Sequence, residues 1–148
     1  MAGKPKSIEE CTEETKNPII VLEEKGKKMI FRNDERKTVK KIAVDGCAVV
    51  QGSKCDFLVI SDESYELFVE LKGTDIAYAC EQLSASIKTL GTNPTQKAKH
   101  SFVIGSRIAP AITTRIQIQQ ARFKRDFNCT LVVKGQQFEF NLKSVKNS

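Results

Sequence analysis

The chain has 148 residues, 40% of them hydrophobic, which suits one compact domain over 1–148 and is too little for two. A chain of this size buries roughly 70% of its unfolded surface and needs no metal or disulfide staple. No apolar run approaches the ~20 residues of a membrane span. Residues 1–7 carry lysines with no hydrophobic stretch behind them, so no secretory signal is expected. Five cysteines, an odd number without an export signal, predict reduced thiols and a cytoplasmic setting.

The net charge is +6, unevenly spread. Residues 1–81 hold 13 basic and 16 acidic side chains, a balance of −3, whereas residues 82–148 hold 11 basic and 2 acidic, a balance of +9. No carboxylate occurs from Gln82 to Arg125. An acidic half beside a basic half points to a polyanionic partner on the basic side.

Residues 1–18 are polar. Ser7 could cap a short helix holding Glu9, Glu10, Glu13 and Glu14, and Asn17-Pro18 would end it; a frayed tail is the alternative. Ile19 to Leu22 is apolar, and Gly26 among lysines makes a break. Strands are expected at Met29–Arg32 and Val39–Val44, the second ending at the turn-forming Asp45-Gly46 or resuming through Cys47–Val50. Phe57–Ile60 reads as a central strand, residues 61–64 as a polar turn, and Glu66–Lys72 as the next strand, closed by Gly73.

Thr74 or Asp75 then caps a helix to Leu90, because Ile76, Ala79, Cys80, Leu83 and Ile87 recur at spacings of three and four. Ser101–Gly105 reads as a strand and Thr113–Phe127 as a helix with Ile116, Gln120, Phe123 and Phe127 on one side. Cys129–Val133 and Phe138–Leu142 are expected to close the chain as a hairpin around Lys134-Gly135. The order (α)βββαβ followed by αββ predicts a mixed α/β (α+β) fold, a mixed sheet with helices against its faces.

One constellation could carry chemistry. Asp56 opens an apolar strand, and Glu70-Leu71-Lys72 ends the next. A strand period of two puts Glu70 and Lys72 on one face, and pairing through the 61–64 turn brings Asp56 beside them. Two converging carboxylates can hold a hard divalent cation, and an adjacent lysine can orient water or stabilise charge on a phosphoryl group. Acid and lysine two apart on a strand are more often solvated neighbours. The apolar Phe68, Val69 and Leu71 place this pair inside a sheet.

The segment from Cys55 to Ile60, a hairpin, and Phe68 to Gly73 followed by a helix resemble the PD-(D/E)xK, or restriction-endonuclease-like, nuclease superfamily. The resemblance covers roughly residues 8–106 and implies an αβββαβ core and hydrolysis of phosphodiester bonds with Mg2+ (or Mn2+), on DNA more than RNA. It implies that Asp56, Glu70 and the Leu71 carbonyl ligate metal and that Lys72 assists the attacking water. Gln82 would be the glutamine that many members carry on the next helix in a QxxxY pattern, although Ser86 replaces the tyrosine. Cys55 stands where the named motif has proline. A glutamate on the first helix often completes the site, and Glu9, Glu10, Glu13 and Glu14 all qualify. Small members often pair, so a homodimer is implied as well.

Lys97, Lys99, Arg107, Arg115, Arg122, Lys124 and Arg125 would neutralise backbone phosphates if they share a face with that site; the plain alternative is a solvated helix face. No tryptophan is present and the phenylalanines fit core positions, so base stacking has no visible apparatus. The single histidine, His100, reads as a surface residue, and Cys47, Cys55 and Cys80 as small buried hydrophobes. Asp45 reads as a turn residue. The function expected is thus a metal-dependent nuclease, or alternatively a nuclease-like fold without catalysis that binds nucleic acid or protein.

Overall fold

A computed structural model of the chain describes residues 6–61, 65–73, 75–92, 98–105 and 113–144. Its strands are β1 (Thr12–Thr15), β2 (Ile19–Glu24), β3 (Lys27–Arg32), β4 (Val39–Ala43), β5 (Phe57–Ser61), β6 (Tyr65–Gly73), β7 (Ala98–Gly105), β8 (Cys129–Gly135) and β9 (Gln137–Asn141). Its helices are α1 (Ile76–Leu90) and α2 (Thr113–Phe127). The fold is mixed α/β, as the element order predicts.

Six strands form one sheet in the order β1-β4-β5-β6-β7-β8, and β2-β3-β9 form a second. β4, β5 and β6 pair antiparallel, with Phe57 opposite Val69. β7 lies parallel to β6 across α1, and β8 parallel to β7 across α2. The two faces of the large sheet bury different partners. Leu58, Phe68 and Val103 face the helices together with Leu83, Ile87 and Phe123. Val59, Leu67, Val69, Leu71 and Phe102 face the small sheet, against Ile20, Leu22, Met29 and Phe31. Strand periodicity produces both cores, since successive residues of β6 alternate between them.

Local chemistry fixes the ends of α1. Asp75 is the cap: its Oδ1 accepts the Tyr78 N–H at 3.2 Å, and Ile76, Ala79, Cys80, Leu83 and Ile87 are buried as the spacing predicts. At Gly91 an added Cβ would lie 2.5 Å from the Ile87 carbonyl oxygen and 3.1 Å from Lys99 Cε, so only glycine fits. Below it, Glu66 Oε1 accepts the Thr92 N–H at 3.0 Å and the Thr92 hydroxyl at 3.1 Å, with Lys99 Nζ 3.5 Å away. Glu66 and Lys99 are 2% and 1% exposed, so this ion pair ties the end of α1 to the start of β6 and β7.

Three expectations need correction. Residues 9–11 form a single 3-10 turn and Thr12–Thr15 an edge strand, so there is no first helix here. Glu13 and Glu14 face Lys41 and Lys40 across β1 and β4, and that cross-strand charge pairing favours the strand. Second, β8 and β9 are not a hairpin. β8 extends the large sheet, while β9 crosses to pair parallel with β3. The Gln136 N–H donates to the Gly105 carbonyl and the Gln136 carbonyl accepts the Lys28 N–H, which hands the chain from one sheet to the other. Third, Cys11 and Cys47 form a disulfide, with Cα atoms 5.9 Å apart, where five thiols are expected. Cys55, Cys80 and Cys129 are free and buried. Residues 47–50 turn back in a loop whose one bridge joins Asp45 and Val49 and do not resume a strand. Among the described residues no helix is long and apolar enough to cross a membrane.

Truncating one member of a buried ion pair strands the other charge, typically at about 3–5 kcal/mol. Lys99→Met should therefore lower the urea unfolding free energy by about that much. Lys99→Met with Glu66→Leu should recover most of it, and an equal loss in both proteins would contradict a buried pair.

Candidate functional site

Asp56 stands one residue before β5, with its backbone fixed on two sides. Its N–H donates to the Val69 carbonyl of β6 at 3.1 Å, and its own carbonyl accepts the Val44 N–H at 3.0 Å. Just before it, the Cys55 N–H donates to Ser86 Oγ on α1 at 2.8 Å. β5 is thereby pinned between β4, β6 and the helix at the point where the acid projects.

The Asp56 carboxylate turns toward the end of β6. Its Oδ2 accepts the Leu71 N–H at 2.8 Å. Here β6 also leaves register with β7: Glu70 faces Val103 but Gly73 faces Gly105. One extra residue on β6 makes a bulge, which frees backbone groups around Leu71 and Lys72 from the ladder. Glu70, on the same side as Phe68, comes within hydrogen-bonding reach of Asp56. Asp56 is 5% exposed and Glu70 4%, so the predicted convergence of these two acids is present. Lys72 lies in the bulged end of β6, and its side chain is outside the described residues.

A third carboxylate joins them, and it comes from neither the first helix nor residues 9–14. Glu24, the last residue of β2, is within hydrogen-bonding reach of Asp56. Along β2, Ile20 and Leu22 are buried and Ile19, Val21 and Glu23 exposed, so Glu24 continues the inward stripe. An acid at the next position of an apolar alternation is the sequence signal that finds it.

Burial is the main force on Asp56 and pushes its carboxyl above the ordinary 3.8. The Leu71 N–H and Glu70 act against that, while the Glu24 charge adds to it. The neighbouring Cys55 thiol, pushed up to about 12 mainly by burial, stays protonated at neutral pH. Burial likewise raises Cys80 to about 11 and Cys129 to about 12, so these thiols act as apolar filling.

Gln82 is half-buried on α1, one turn before Ser86. Residues four apart share a helix stripe, so the Ser86 contact with Cys55 sets Gln82 over the same edge of the sheet. Ser86 is therefore the residue that anchors the segment before Asp56.

Of the predicted phosphate-binding side chains that are described, only Arg115 stands on the same edge of the sheet as these acids. Lys99 is enclosed beneath α1 with Glu66, where it cannot meet a phosphate; its place in a parallel strand between two others explains the burial. α1 and α2 both start at the carboxyl ends of the parallel strands and finish at the opposite edge. Lys124, bonded to Asn128 Oδ1, and Arg125, paired with Asp126 at 2.9 Å, thus stand at the far edge from Asp56. Arg122 lies half-buried over the Phe123 ring, 5.3 Å from its centroid. Arg115 is exposed in the first turn of α2, on the Asp56 side. Lys97 and Arg107 lie outside the described residues. His100 is half-buried inside β7, stacked on Phe102 at 6.2 Å, and burial lowers its pKa, helped by Lys124. Asp45 is an exposed turn residue near Lys54, as expected.

The donors suit a hard cation, since carboxylate and backbone carbonyl oxygens are what Mg2+ and Mn2+ prefer. Gathering acids that burial and mutual charge disfavour is what a cation would relieve. They are not a ready cage: among the described residues no three His, Cys, Asp or Glu side chains are arranged to hold a metal ion. The chain matches no family model, no curated protein and no solved structure.

A carboxyl held above its ordinary pKa keeps its proton in the folded state after the unfolded chain has released it. Stability should therefore fall as pH rises through and above the ordinary value of 3.8. Asp56→Asn removes that penalty and leaves an oxygen to accept the Leu71 N–H. Urea midpoints measured without divalent cations between about pH 4 and pH 8 should favour Asp56→Asn increasingly at the upper end. A wild-type-to-variant difference that does not change with pH would contradict a raised Asp56.

Proposed function

We propose that this chain is a metal-dependent phosphodiesterase of restriction-endonuclease-like architecture that cleaves nucleic acid, with DNA as the first candidate substrate. The observation that carries the reading is the burial of the Asp56 and Glu70 carboxylates against each other at the end of β6. The run β4-β5-β6-α1-β7 supports it, being the βββαβ part of the implied core. The edge at the carboxyl ends of parallel strands is also the usual place for ligands in open α/β sheets.

Asp56, Glu70 and the Leu71 carbonyl would hold Mg2+ or Mn2+, which when bound supplies a polarised water and neutralises charge on the scissile phosphate. Asp56 has one oxygen committed to the Leu71 N–H, and a bound cation would replace the contacts its carboxylate makes with Glu70 and Glu24. Glu24 raises the negative potential beside them and so strengthens attraction for a cation. Lys72 is assigned to the attacking water and Gln82 to its orientation. Lys25, in the tight turn after Glu24, and Lys27, the first residue of β3, offer positive charge beside Glu24, and Arg115 stands on the same edge of the sheet. An intracellular setting fits the three buried thiols; the Cys11–Cys47 bond is the feature that speaks against it. A pair of copies is proposed for cutting two strands.

A second reading, a noncatalytic module, is favoured by one observation: among the described residues no three His, Cys, Asp or Glu side chains are arranged to hold a metal ion. Calorimetric titration with Mg2+ or Mn2+ separates the two, because an inert module has no divalent site that Asp56→Asn abolishes.

Cleavage of DNA and RNA should depend on Mg2+ or Mn2+ and stop on chelation. Glu70→Ala and Lys72→Ala should each lower the rate by about 100-fold or more, with circular dichroism confirming that both variants fold. Full activity in both would overturn the assignment.

A further inference from the structure

The residues that best suit a phosphate lie in the half of the chain with net negative charge. A cavity of about 510 Å³ is lined by Glu14, Lys16, Arg36, Lys37, Thr38, Lys40 and Ile60, a volume within the ~300–1,000 Å³ of small-ligand sites. Four cationic side chains and a hydroxyl surround it against one carboxylate.

Strand register assembles this group. Glu14 is opposite Lys40 across β1 and β4, and Lys40 is opposite Ile60 across β4 and β5. These three make one row on the helix side of the sheet, where Ile60 packs against the core beneath the helices. Ile60 is four residues from Asp56, about 13 Å along the strand, so the cavity is separate from the acids.

Arg36 and Lys37 are placed on the rim by a braced loop. Asn33, 3% exposed, donates from Nδ2 to the Asn17 carbonyl at 3.1 Å and to the Lys37 carbonyl at 2.8 Å. Its Oδ1 accepts the Lys37 N–H at 3.1 Å, and its carbonyl accepts the Arg36 N–H at 3.0 Å. Arg36 is held at φ 49°, left-handed backbone that costs a residue with a Cβ about 1–2 kcal/mol. A turn that glycine would fill without strain carries a guanidinium instead, and such strain tends to be kept where the side chain has a use.

We propose that this cavity is a phosphate-binding site, taking either the terminal phosphates of a nucleotide or a backbone phosphate of a nucleic-acid strand, with Arg36, Lys16 and Lys40 as the anion contacts and Thr38 as a hydroxyl donor. Guanidinium and ammonium groups bind phosphate oxygens through charge-assisted hydrogen bonds, and Lys40 stands opposite Glu14 across the strand pair. The site needs neither Asp56 nor a metal, so it stands whether or not the chain cleaves anything.

Arg36→Gly tests it cleanly, because glycine adopts φ 49° without strain and the fold should survive. Wild type and the variants Arg36→Gly, Lys40→Gln and their combination are titrated with pyrophosphate by calorimetry. The same proteins are titrated with a single-stranded oligonucleotide of roughly 12 residues by fluorescence anisotropy, all without divalent cations. Binding of at least one probe by wild type, weakened about tenfold or more by the double variant, is expected. For the oligonucleotide, the slope of log K against log salt should drop by about 0.7 per lost cation. A loss confined to pyrophosphate identifies a nucleotide site, and one that includes the oligonucleotide identifies a backbone contact; both support the inference. No binding of either probe by wild type, or equal binding by the double variant, overturns it.

Discussion

Everything at the carboxyl edge of the large sheet is arranged around carboxylates held where water is scarce. Two such charges about 4 Å apart repel by about 4 kcal/mol even at an effective dielectric near 20. Asp56, Glu70 and Glu24 nonetheless meet there, and the surrounding backbone makes this tolerable. Asp56 replaces part of its lost hydration with the Leu71 N–H, and its peptide is bonded on both sides to β6 and β4. The β6 bulge is the partner of that arrangement, since it takes Leu71 and Lys72 out of regular pairing with β7. Each device acts on its neighbours, so the backbone that carries Asp56 keeps its place while β4, β5 and β6 stay paired.

Three layers give this edge its rigidity. The small sheet covers one face of the large sheet and delivers Glu24 from the end of β2, while α1 covers the other and fixes Cys55 through Ser86. The buried Glu66–Lys99 pair secures α1 at its far end. Charge is also sorted by edge: the acids collect where the parallel strands finish, and the cavity with Lys16, Arg36, Lys37 and Lys40 lies where β4 begins. That sorting is invisible in the linear charge balance, which sets the cationic half of the chain at residues 82–148.

Local patterns made much of the architecture legible. The three-and-four spacing from Ile76 to Ile87, the Asp75 cap and the apolar run Phe57–Ile60 are short-range signals, and each predicts its element. Asp56 and Glu70 were legible as a pair because strand alternation and one hairpin suffice to join them. What escaped depends on distant partners. Lys134-Gly135 looks like a turn between two strands of one sheet, and only the bonds of Gln136 to Gly105 and Lys28 send those strands to different sheets. Glu13 and Glu14 look helical until Lys40 and Lys41 arrive across the edge of the sheet. Lys99 looks like one more surface cation until Glu66 is found beneath the helix. The Cys11–Cys47 bond joins residues 36 apart in sequence, which no spacing rule anticipates. Glu24 alone carried a readable sign, an acid on the buried beat of Ile20 and Leu22.

The central proposal is that this carboxylate cluster binds a divalent cation. It is tested most directly by growing crystals in manganese and measuring anomalous diffraction at an energy where that metal scatters. The account predicts a peak within coordinating distance of the Asp56 and Glu70 carboxylates and the Leu71 carbonyl. Clear density for those side chains with no anomalous peak between them would contradict it.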